Sequence, residues 1–170
     1  MTPEIFGFVT HKTSMVPSDW RDAVDQWVAL EMDPAQIEPL RDPDPLVMMS
    51  RTTVYVNSVI AYGRDGPEDH WATPEHLLTT LRGDCEDFAM FKLSVLLNLG
   101  FDPEKLWVCV VYDAIARQHH AFLLVFHDGT YWILDNRTSN VIREQDLEAI
   151  TPIMTLGTND DFLHGRPVVR

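Results

Sequence analysis

The first half of the chain places its apolar residues at helical spacing. A predicted helix with Ser18 as its N-cap carries five of them on one face: Trp20, Ala23, Val24, Trp27 and Val28. The spacing in 46–62 also favours a helix, although its β-branched residues would suit a strand. Between these segments, 32–45 carries four prolines among acidic residues, which predicts an extended connector.

The strongest helix signal in the sequence covers Cys85–Asn98. Asp84 can cap its first turn, Asp87 stands three residues further on, and Gly100 follows its end. Its apolar residues lie nearly all round the helix, so we expect it to be central and buried. An earlier helix start is indicated at Thr73-Pro74, where threonine is the N-cap and proline occupies the first helical position.

Shorter apolar runs of strand length follow in the second half. Two of them, 106–112 and 121–126, precede the pair Asp128-Gly129, which predicts a hairpin turn into a third strand at 131–134. A short helix is indicated around 144–149. Helices followed by an antiparallel sheet predict an α+β fold.

Composition narrows the functional classes. With 45% hydrophobic residues among 170, the chain suits one globular domain, 1–170, rather than a disordered segment. Its 26 acidic residues against 13 basic ones give a net charge of −13, which argues against a nucleic-acid partner because phosphate contacts need Lys and Arg. No apolar run reaches the roughly 18 to 20 residues that span a bilayer, so no membrane insertion is expected.

Cys85 opens the strongest predicted helix, where unpaired N–H groups and the helix dipole favour an anion and activate a thiol. His120 and Asp135 stand at adjoining ends of the two strands joined by Asp128-Gly129, so we expect them to be near neighbours. A base that reaches a thiol and a carboxylate that orients the base make a Cys-His-Asp triad. Each residue alone has a structural interpretation, as a core cysteine, an ordinary histidine or a turn aspartate, but their order along the chain favours the triad.

The other sulfur and nitrogen ligands indicate no metal or disulfide site. A disulfide between Cys85 and Cys109 would consume the predicted nucleophile, and Cys109 stands mid-strand as a core residue would. Zinc is set aside because no ligand spacing stands out among the histidines His70, His76, His119 and His120.

Several blocks of the sequence resemble the bacterial transglutaminase-like cysteine peptidases. The blocks around the predicted triad are Gly83-Asp84-Cys85-Glu86-Asp87-Phe88-Ala89, Lys92, Leu99-Gly100, His120-Ala121 and Leu134-Asp135-Asn136. Upstream blocks are Val56-Asn57 and Asp69-His70-Trp71-Ala72-Thr73-Pro74-Glu75. Together they cover roughly residues 5–150, and the cysteine block with the downstream histidine and aspartate is a specific combination.

This resemblance implies a papain-like fold, with N-terminal helices packed on an antiparallel sheet, and a triad of Cys85, His120 and Asp135. Well-known members are LapG-type periplasmic proteases, which cut a large surface adhesin near its N-terminus at a small-residue site, use calcium and are restrained by an inner-membrane receptor for cyclic di-GMP. We therefore expect a protein substrate, with such an adhesin and receptor as candidate partners. The resemblance implies a periplasmic protein, but no export signal is visible in 1–10. We expect that the signal has been removed; the alternative is a cytoplasmic member.

His119 is the rival to His120 as the catalytic base. The family pattern places the histidine directly before a small residue and an apolar strand, which selects His120. Adjacent side chains of a strand also point to opposite faces, so only one of the two can meet Cys85. We expect His119 to be a partly exposed neighbour.

Asp84, Glu86 and Asp87 flank Cys85 and should raise the pKa of its thiol by repulsion, which opposes the needs of a nucleophile. A divalent cation would cancel that effect, and carboxylates suit calcium, with carbonyls or water completing its usual shell of about six to eight oxygens. LapG-type relatives also use calcium. The alternative is that Asp84 and Asp87 only cap the helix and that Glu86 is solvated.

The leading hypothesis for function is a peptidase that works through an acyl-enzyme. Transamidation on the same acyl-enzyme is the alternative within enzymes, and calcium-dependent binding by a non-catalytic papain-like scaffold is the alternative outside them. The presence of all three triad residue types argues against a scaffold without catalysis. Asn57 and Trp71 are candidate side chains for an oxyanion hole, and 151–170 shows no recognisable motif.

Overall fold

A computed structural model describes residues 1–64 and 70–167. Its helices are α1 (Ser18–Val28), α2 (Pro34–Ile37), α3 (Pro45–Val59), α4 (Pro74–Thr80) and α5 (Cys85–Asn98). Its strands are β1 (Phe8–Thr13), β2 (Ala61–Tyr62), β3 (Arg82–Gly83), β4 (Leu106–Asp113), β5 (Gln118–His127), β6 (Thr130–Leu134), β7 (Ile142–Arg143), β8 (Ile150–Gly157) and β9 (Asp161–Pro167). Most strands follow the helices along the chain, which confirms the predicted α+β class.

Seven strands form one antiparallel sheet in the order β1-β9-β8-β4-β5-β6-β7, and β2 and β3 form a separate parallel pair. The hairpin between β5 and β6 turns at Asp128 and Gly129, whose φ angles of 49° and 73° suit a type I′ turn. Its register pairs Leu123 with Leu134. The predicted hairpin is therefore confirmed, and the beginning of β5 lies beside the end of β6.

Side-chain alternation gives the central strands two buried faces. On one face, residues such as Val108 and Leu123 join the main core that the helices form. On the other, Cys109 and Phe122 join a smaller core that is completed by Ile5 from the N-terminal segment. Because β4 and β5 are covered on both sides, their sequences are continuous apolar runs rather than alternating ones.

Helix α5 lies at the centre of the fold, where it packs against α1, α3, β4 and β5. Its residues are buried from Glu86 through Leu96, as the sequence predicted. A capping box closes its first turn: the Asp84 N–H donates to Asp87 Oδ2 at 3.1 Å, and the Asp84 side chain accepts from the Asp87 N–H. The cap holds the start of the helix, and with it Cys85, at the edge of the core.

The predicted extended connector at 32–45 is wrong. This segment contains α2 and a 3₁₀ turn at Glu38–Leu40. The Asp33 side chain accepts from Ala35 N at 2.9 Å and caps α2, and the two turns bury Ile37 and Leu40 against the helices. The prolines therefore start short helices instead of preventing them.

Element boundaries differ locally from the predictions. The N-cap of α1 is Pro17 rather than Ser18, which is the first helical residue and makes no capping bond. Helix α3 ends at Val59, three residues before the predicted end, because the chain turns into the short strand β2. The short helix expected at 144–149 is a 3₁₀ turn at Glu144–Asp146.

The C-terminal segment, which has no recognisable motif, extends the sheet through β8 and β9. β9 then pairs with β1 at the edge, so the two ends of the described chain meet in one sheet. Within 1–64 and 70–167, no helix combines the length and apolar character that crossing a membrane would need.

Candidate active site

Cys85 is the first residue of α5 and is partly exposed. Its thiol donates to Glu86 Oε2 across 3.4 Å. Burial raises the pKa of this thiol most strongly, and the charge of Glu86 raises it further. A hydrogen bond from the Ala121 backbone N–H acts in the opposite direction, so β5 approaches the sulfur directly. In the protein alone, the surroundings of Cys85 therefore favour the thiol over the thiolate.

His120 and Asp135 meet at the adjoining ends of β5 and β6. His120 Nε2 lies 2.9 Å from Asp135 Oδ1, and both side chains are buried. The hairpin register produces this contact, because pairing Leu123 with Leu134 brings the residues just beyond each end together. The two residues are thus close neighbours, as their spacing from the turn predicted.

Asp135 accepts three more hydrogen bonds, all from Arg137. The Arg137 backbone N–H donates to Oδ1 at 3.0 Å, and its side-chain Nε and Nη2 donate to Oδ2 at 3.1 and 3.0 Å. Burial would raise the pKa of Asp135, but the bonds from His120 and Arg137 outweigh it and lower that pKa to about 2. The carboxylate is therefore ionised at neutral pH. Sequence reasoning missed Arg137, and no motif in the chain singles it out.

His119 directly precedes His120 on β5 but differs from it in exposure and contacts. It is exposed, pairs with Tyr112 of β4, and makes an edge-on ring contact with that tyrosine at 5.5 Å between centroids. His120 instead has the buried carboxylate partner. The two histidines therefore have different surroundings although they are adjacent in sequence.

A cavity of about 790 Å³ opens over these residues. Cys85 and His120 both line it, together with His119 and Glu86. Its remaining wall is largely apolar and includes Trp20 and Trp71, whose rings stack 4.5 Å apart, with Met15, Ile153 and Met154. Cys85 thus borders a space large enough for a peptide segment.

The acidic residues around Cys85 form a compact group. Asp84, Glu86 and Asp87 can each offer an oxygen such that all of these atoms lie within 4.8 Å of one another. Asp87 is already engaged, since its Oδ1 accepts from Ala72 N at 2.9 Å. Glu86 Oε1 is buried and has no hydrogen-bond partner in 1–64 or 70–167. Burial raises the pKa of Glu86 most strongly, and Asp84 raises it further. This donor set of hard oxygens suits a divalent cation such as calcium.

Comparison with known families decides the classification. The family profile described as bacterial transglutaminase-like cysteine proteinase BTLCP matches residues 18–148. The match covers more than half of the chain and includes Cys85, His120 and Asp135. The chain belongs to this family. It is a cysteine protease, as the resemblance implied.

Solved structures of Legionella pneumophila LapG share the fold of this cysteine proteinase. The calcium-bound form is 18% identical in sequence, with a TM-score of 0.69 over 91% of this chain and 93% of the LapG chain. The EGTA-treated form is also 18% identical, with a TM-score of 0.68 over 85% and 89%. At this identity the likeness establishes the fold alone. No curated protein matches the sequence well enough to count as a relative.

The candidate oxyanion side chains occupy different places in the proteinase. Asn57 Nδ2 donates to the carbonyl oxygens of Asp135 and Thr138 at 3.1 and 3.0 Å, so it braces the loop after β6 rather than facing the cavity. Trp71 does line the cavity, stacked on Trp20.

The remaining residues singled out from the sequence lie away from Cys85 or outside the described part. Cys85 and Cys109 are both free thiols, and Cys109 is fully buried in β4. His70 and His76 are exposed and belong to no metal-like cluster within the described residues. Asp69, part of an upstream block, lies outside the described residues.

Lys92, another residue of the family-like blocks, is fully buried in α5. Its Nζ finds no hydrogen-bond partner in the part of the chain that the structure describes, and it lies 5.9 Å from the centre of the Phe88 ring. Burial lowers the pKa of Lys92 to about 7, and the charge of Asp135 opposes that shift. The helix that carries Cys85 therefore also carries a buried amine, whose protonation the charge of Asp135 favours and burial disfavours.

Proposed function

We propose that this cysteine proteinase hydrolyses a peptide bond of a protein substrate through a triad of Cys85, His120 and Asp135. The supporting observation is the buried 2.9 Å contact between His120 Nε2 and Asp135 Oδ1, beside a cavity that Cys85 also lines. With Nε2 directed to the carboxylate, Nδ1 of His120 is the nitrogen that can accept the thiol proton.

In the proposed reaction, His120 takes the proton of the Cys85 thiol while the sulfur bonds to the carbonyl carbon of the scissile peptide. The C–N bond then breaks, and His120 returns the proton to the leaving amine, so a thioester remains on Cys85. Water attacks the thioester, and His120 accepts one of its protons. The S–C bond breaks, the sulfur regains a proton, and the acid product leaves.

The start of α5 supports the negative charges that this reaction creates. Cys85 occupies the first helical position, where backbone N–H groups lack intrahelical partners and the helix dipole is positive. These groups favour the thiolate and can donate to the oxyanion of a tetrahedral intermediate. They work against the burial and the carboxylates that raise the pKa of the thiol.

Calcium fits this site, and Asp84, Glu86 and Asp87 are the residues that would hold it. The oxygens are clustered, Glu86 Oε1 is buried and accepts no hydrogen bond from the described residues, and the pKa of Glu86 is raised, so ionisation of these carboxylates is disfavoured unless a cation accompanies it. When bound, calcium would supply positive charge beside Cys85 and so lower the pKa of its thiol. The existence of a calcium-bound structure of Legionella pneumophila LapG supports this assignment.

The substrate and partners follow from the resemblance to LapG-type proteases. We place the proteinase in the periplasm, with a large surface adhesin as its substrate and an inner-membrane receptor for cyclic di-GMP as its inhibitor. The apolar cavity wall around the stacked Trp20 and Trp71 is compatible with an extended protein segment as the bound group.

A proteome-derived peptide library tests the proposed chemistry without knowledge of the substrate. Wild-type protein in calcium buffer should create new C-terminal carboxylates that mass spectrometry detects. Cys85→Ala should create none, whereas Cys109→Ala, the matched loss of the other thiol, should retain cleavage. Adding a primary amine should leave most products as acids. Cleavage by Cys85→Ala would overturn the triad, and amide products in excess would establish transamidation instead.

A further inference from the structure

The side chain of Arg137 donates hydrogen bonds to one of the two oxygens of the Asp135 carboxylate. Oδ1 accepts from His120 Nε2 and from the Arg137 backbone N–H, whereas among the described residues Oδ2 accepts only from the Arg137 side chain, through Nε and Nη2. The side chain of Asp135 is only 5% exposed, so water is a poor substitute for these donors. Without the guanidinium, Oδ2 would be a buried charged atom with no hydrogen bond, and the carboxylate would gain freedom to rotate.

The guanidinium is itself anchored at its other end. Arg137 Nη1 donates to Asp113 Oδ2 at 2.8 Å. Asp113 ends β4 and is fixed by backbone donors, because its Oδ1 accepts from Ile115 N at 3.0 Å and from Ala116 N at 2.9 Å. These backbone bonds, with that from Arg137, lower the pKa of Asp113. One arginine therefore reaches from the end of β4 to the loop after β6, across the end of β5, the strand that carries His120.

The backbone of this loop has separate support. Asn57 Nδ2 donates to the carbonyl oxygens of Asp135 and Thr138. These bonds hold the loop to α3 without involving the Arg137 side chain. Removing the guanidinium should therefore disturb the Asp135 carboxylate more than the path of the chain.

We propose that Arg137 is a positioning residue of the hydrolysis: anchored on Asp113, it fixes the plane of the Asp135 carboxylate and thereby the ring of His120. The proposal rests on the triad put forward above as the proposed function. Arginine suits this role because its planar fork of donors can engage two carboxylates at once, which a lysine ammonium on one point cannot do.

The test compares Arg137→Ala, Arg137→Lys and Asp113→Asn with Arg143→Ala as the matched control. Arg143 forms an exposed ion pair with Asp146 and contacts neither His120 nor Asp135. Activity is measured as kcat and KM on a peptide that the library shows to be cleaved. The rate at which iodoacetamide alkylates Cys85, at fixed pH and calcium concentration, is a second measurement that needs no substrate. Cys85→Ala gives the background alkylation. The melting temperature shows whether each variant is folded.

Misplacing a catalytic group by about 1 Å can cost about 100-fold, so Arg137→Ala should lose about 10- to 100-fold in kcat, with KM little changed. Alkylation should slow in parallel. Guanidinium ion added to Arg137→Ala should restore part of both rates, which a loss of folding would not allow. Arg137→Lys and Asp113→Asn should fall between this variant and wild type, and Arg143→Ala should match wild type.

Two results would overturn the proposal. One is a folded Arg137→Ala with wild-type kcat and alkylation rate; the other is a loss that tracks unfolded protein and resists guanidinium. If Arg137→Ala does not fold, then wild-type kcat and alkylation rates in folded Arg137→Lys and Asp113→Asn would also overturn the proposal. Failure of the triad itself is recognised separately, because His120→Ala and Asp135→Asn would then remain active.

Discussion

The pKa values of buried carboxylates are shifted in opposite directions in the two parts of the site, the start of α5 and the end of the sheet. At the start of α5, Asp84, Glu86 and Asp87 crowd their oxygens within 4.8 Å, and burial raises the pKa of both Glu86 and the neighbouring Cys85. At the end of the sheet, the carboxylate of Asp135 receives four hydrogen bonds and its pKa falls to about 2. Both halves contain buried carboxylates, but Asp135 receives hydrogen bonds from a guanidinium, whereas Asp87 accepts from backbone N–H groups and Glu86 Oε1 accepts none from the described residues.

At the sheet end the chain itself supplies the positive charge, whereas at the helix start calcium is the proposed source of it. The sheet end is complete as folded, because His120, Arg137 and Asp113 give Asp135 a fixed and ionised state. The helix start carries negative charge that the helix dipole offsets only in part. We therefore expect the sheet end to respond to substitution and the helix start to respond to calcium as well.

The largest effect is expected for the base at the sheet end. His120→Ala removes general acid–base catalysis and should lower kcat/KM on the order of 1,000-fold. His119→Ala, the matched control one residue away, should stay near wild type because its ring is exposed and contacts Tyr112 instead. Peptide hydrolysis measures both. A reversed order of the two losses would make His119 the base.

A smaller but still large loss is expected when the charge of the orienting carboxylate is removed. Asp135→Asn keeps the shape of the side chain but not the charge that supports the imidazolium, so kcat should fall about 100-fold or more. In a Cys85→Ala background, the same change should cost nothing further, since residues that act as a unit are not additive. The residual hydrolysis rates of the two single variants and the double variant show whether the losses are additive. An additional loss in the double variant would place Asp135 outside the triad.

Calcium should act on the helix start and on stability together. If calcium binds only the folded protein, raising it to about 100 times its Kd should stabilise the fold by about 2.7 kcal/mol and increase the melting temperature by several degrees. Chelation should reverse this and slow alkylation of Cys85. Glu86→Gln should weaken both responses, and Glu75→Gln, an exposed glutamate outside the acidic group, is the control. Unchanged melting and alkylation in demetallated protein would contradict the calcium assignment.

The smallest effect concerns Lys92, the buried lysine of α5. The pKa of Lys92 is about 7 in the fold against 10.5 for the free side chain, so above pH 7 the unfolded chain binds more protons at this position. The contribution of Lys92 to stability should therefore rise with pH from 7 towards 9, by at most about 1.4 kcal/mol per pH unit, while Glu86, whose pKa is raised to about 10, contributes in the opposite direction. Above pH 9, the two thiols, with raised pKa values in the fold, also contribute in the opposite direction.

Chemical denaturation across that pH window measures the Lys92 contribution. Lys92→Met removes the ionisable group with little change in volume, so its stability relative to the wild type should fall as the pH rises from 7 to 9. Lys105→Met, which replaces an exposed lysine, should keep the wild-type slope. Equal slopes in all three proteins would show that Lys92 keeps its charge in the fold.

Local sequence signals determined the elements that carry the chemistry. Asp84 and Asp87 form the predicted capping box, so the position of Cys85 at a helix start follows from neighbours within three residues. Thr73 likewise caps α4 through its Oγ1. The Asp128-Gly129 turn sets the hairpin register and thus the meeting of His120 with Asp135. Such signals are readable because their physical causes, capping bonds and turn dihedral angles, act between residues close in sequence.

Tertiary structure alone decided what surrounds these elements. The edge strand β1 pairs with β9 from the opposite end of the chain, and β8 pairs with β4 from about 40 positions away. Arg137 meets Asp113 from 24 positions away, and Asn57 meets the Asp135 carbonyl from 78. The apolar run around Lys92 predicted a buried helix, but it did not predict that the charge of Asp135 would act on the pKa of Lys92. These contacts depend on how the sheet and helices pack, and a polar residue suits many partners until packing brings one within hydrogen-bonding distance.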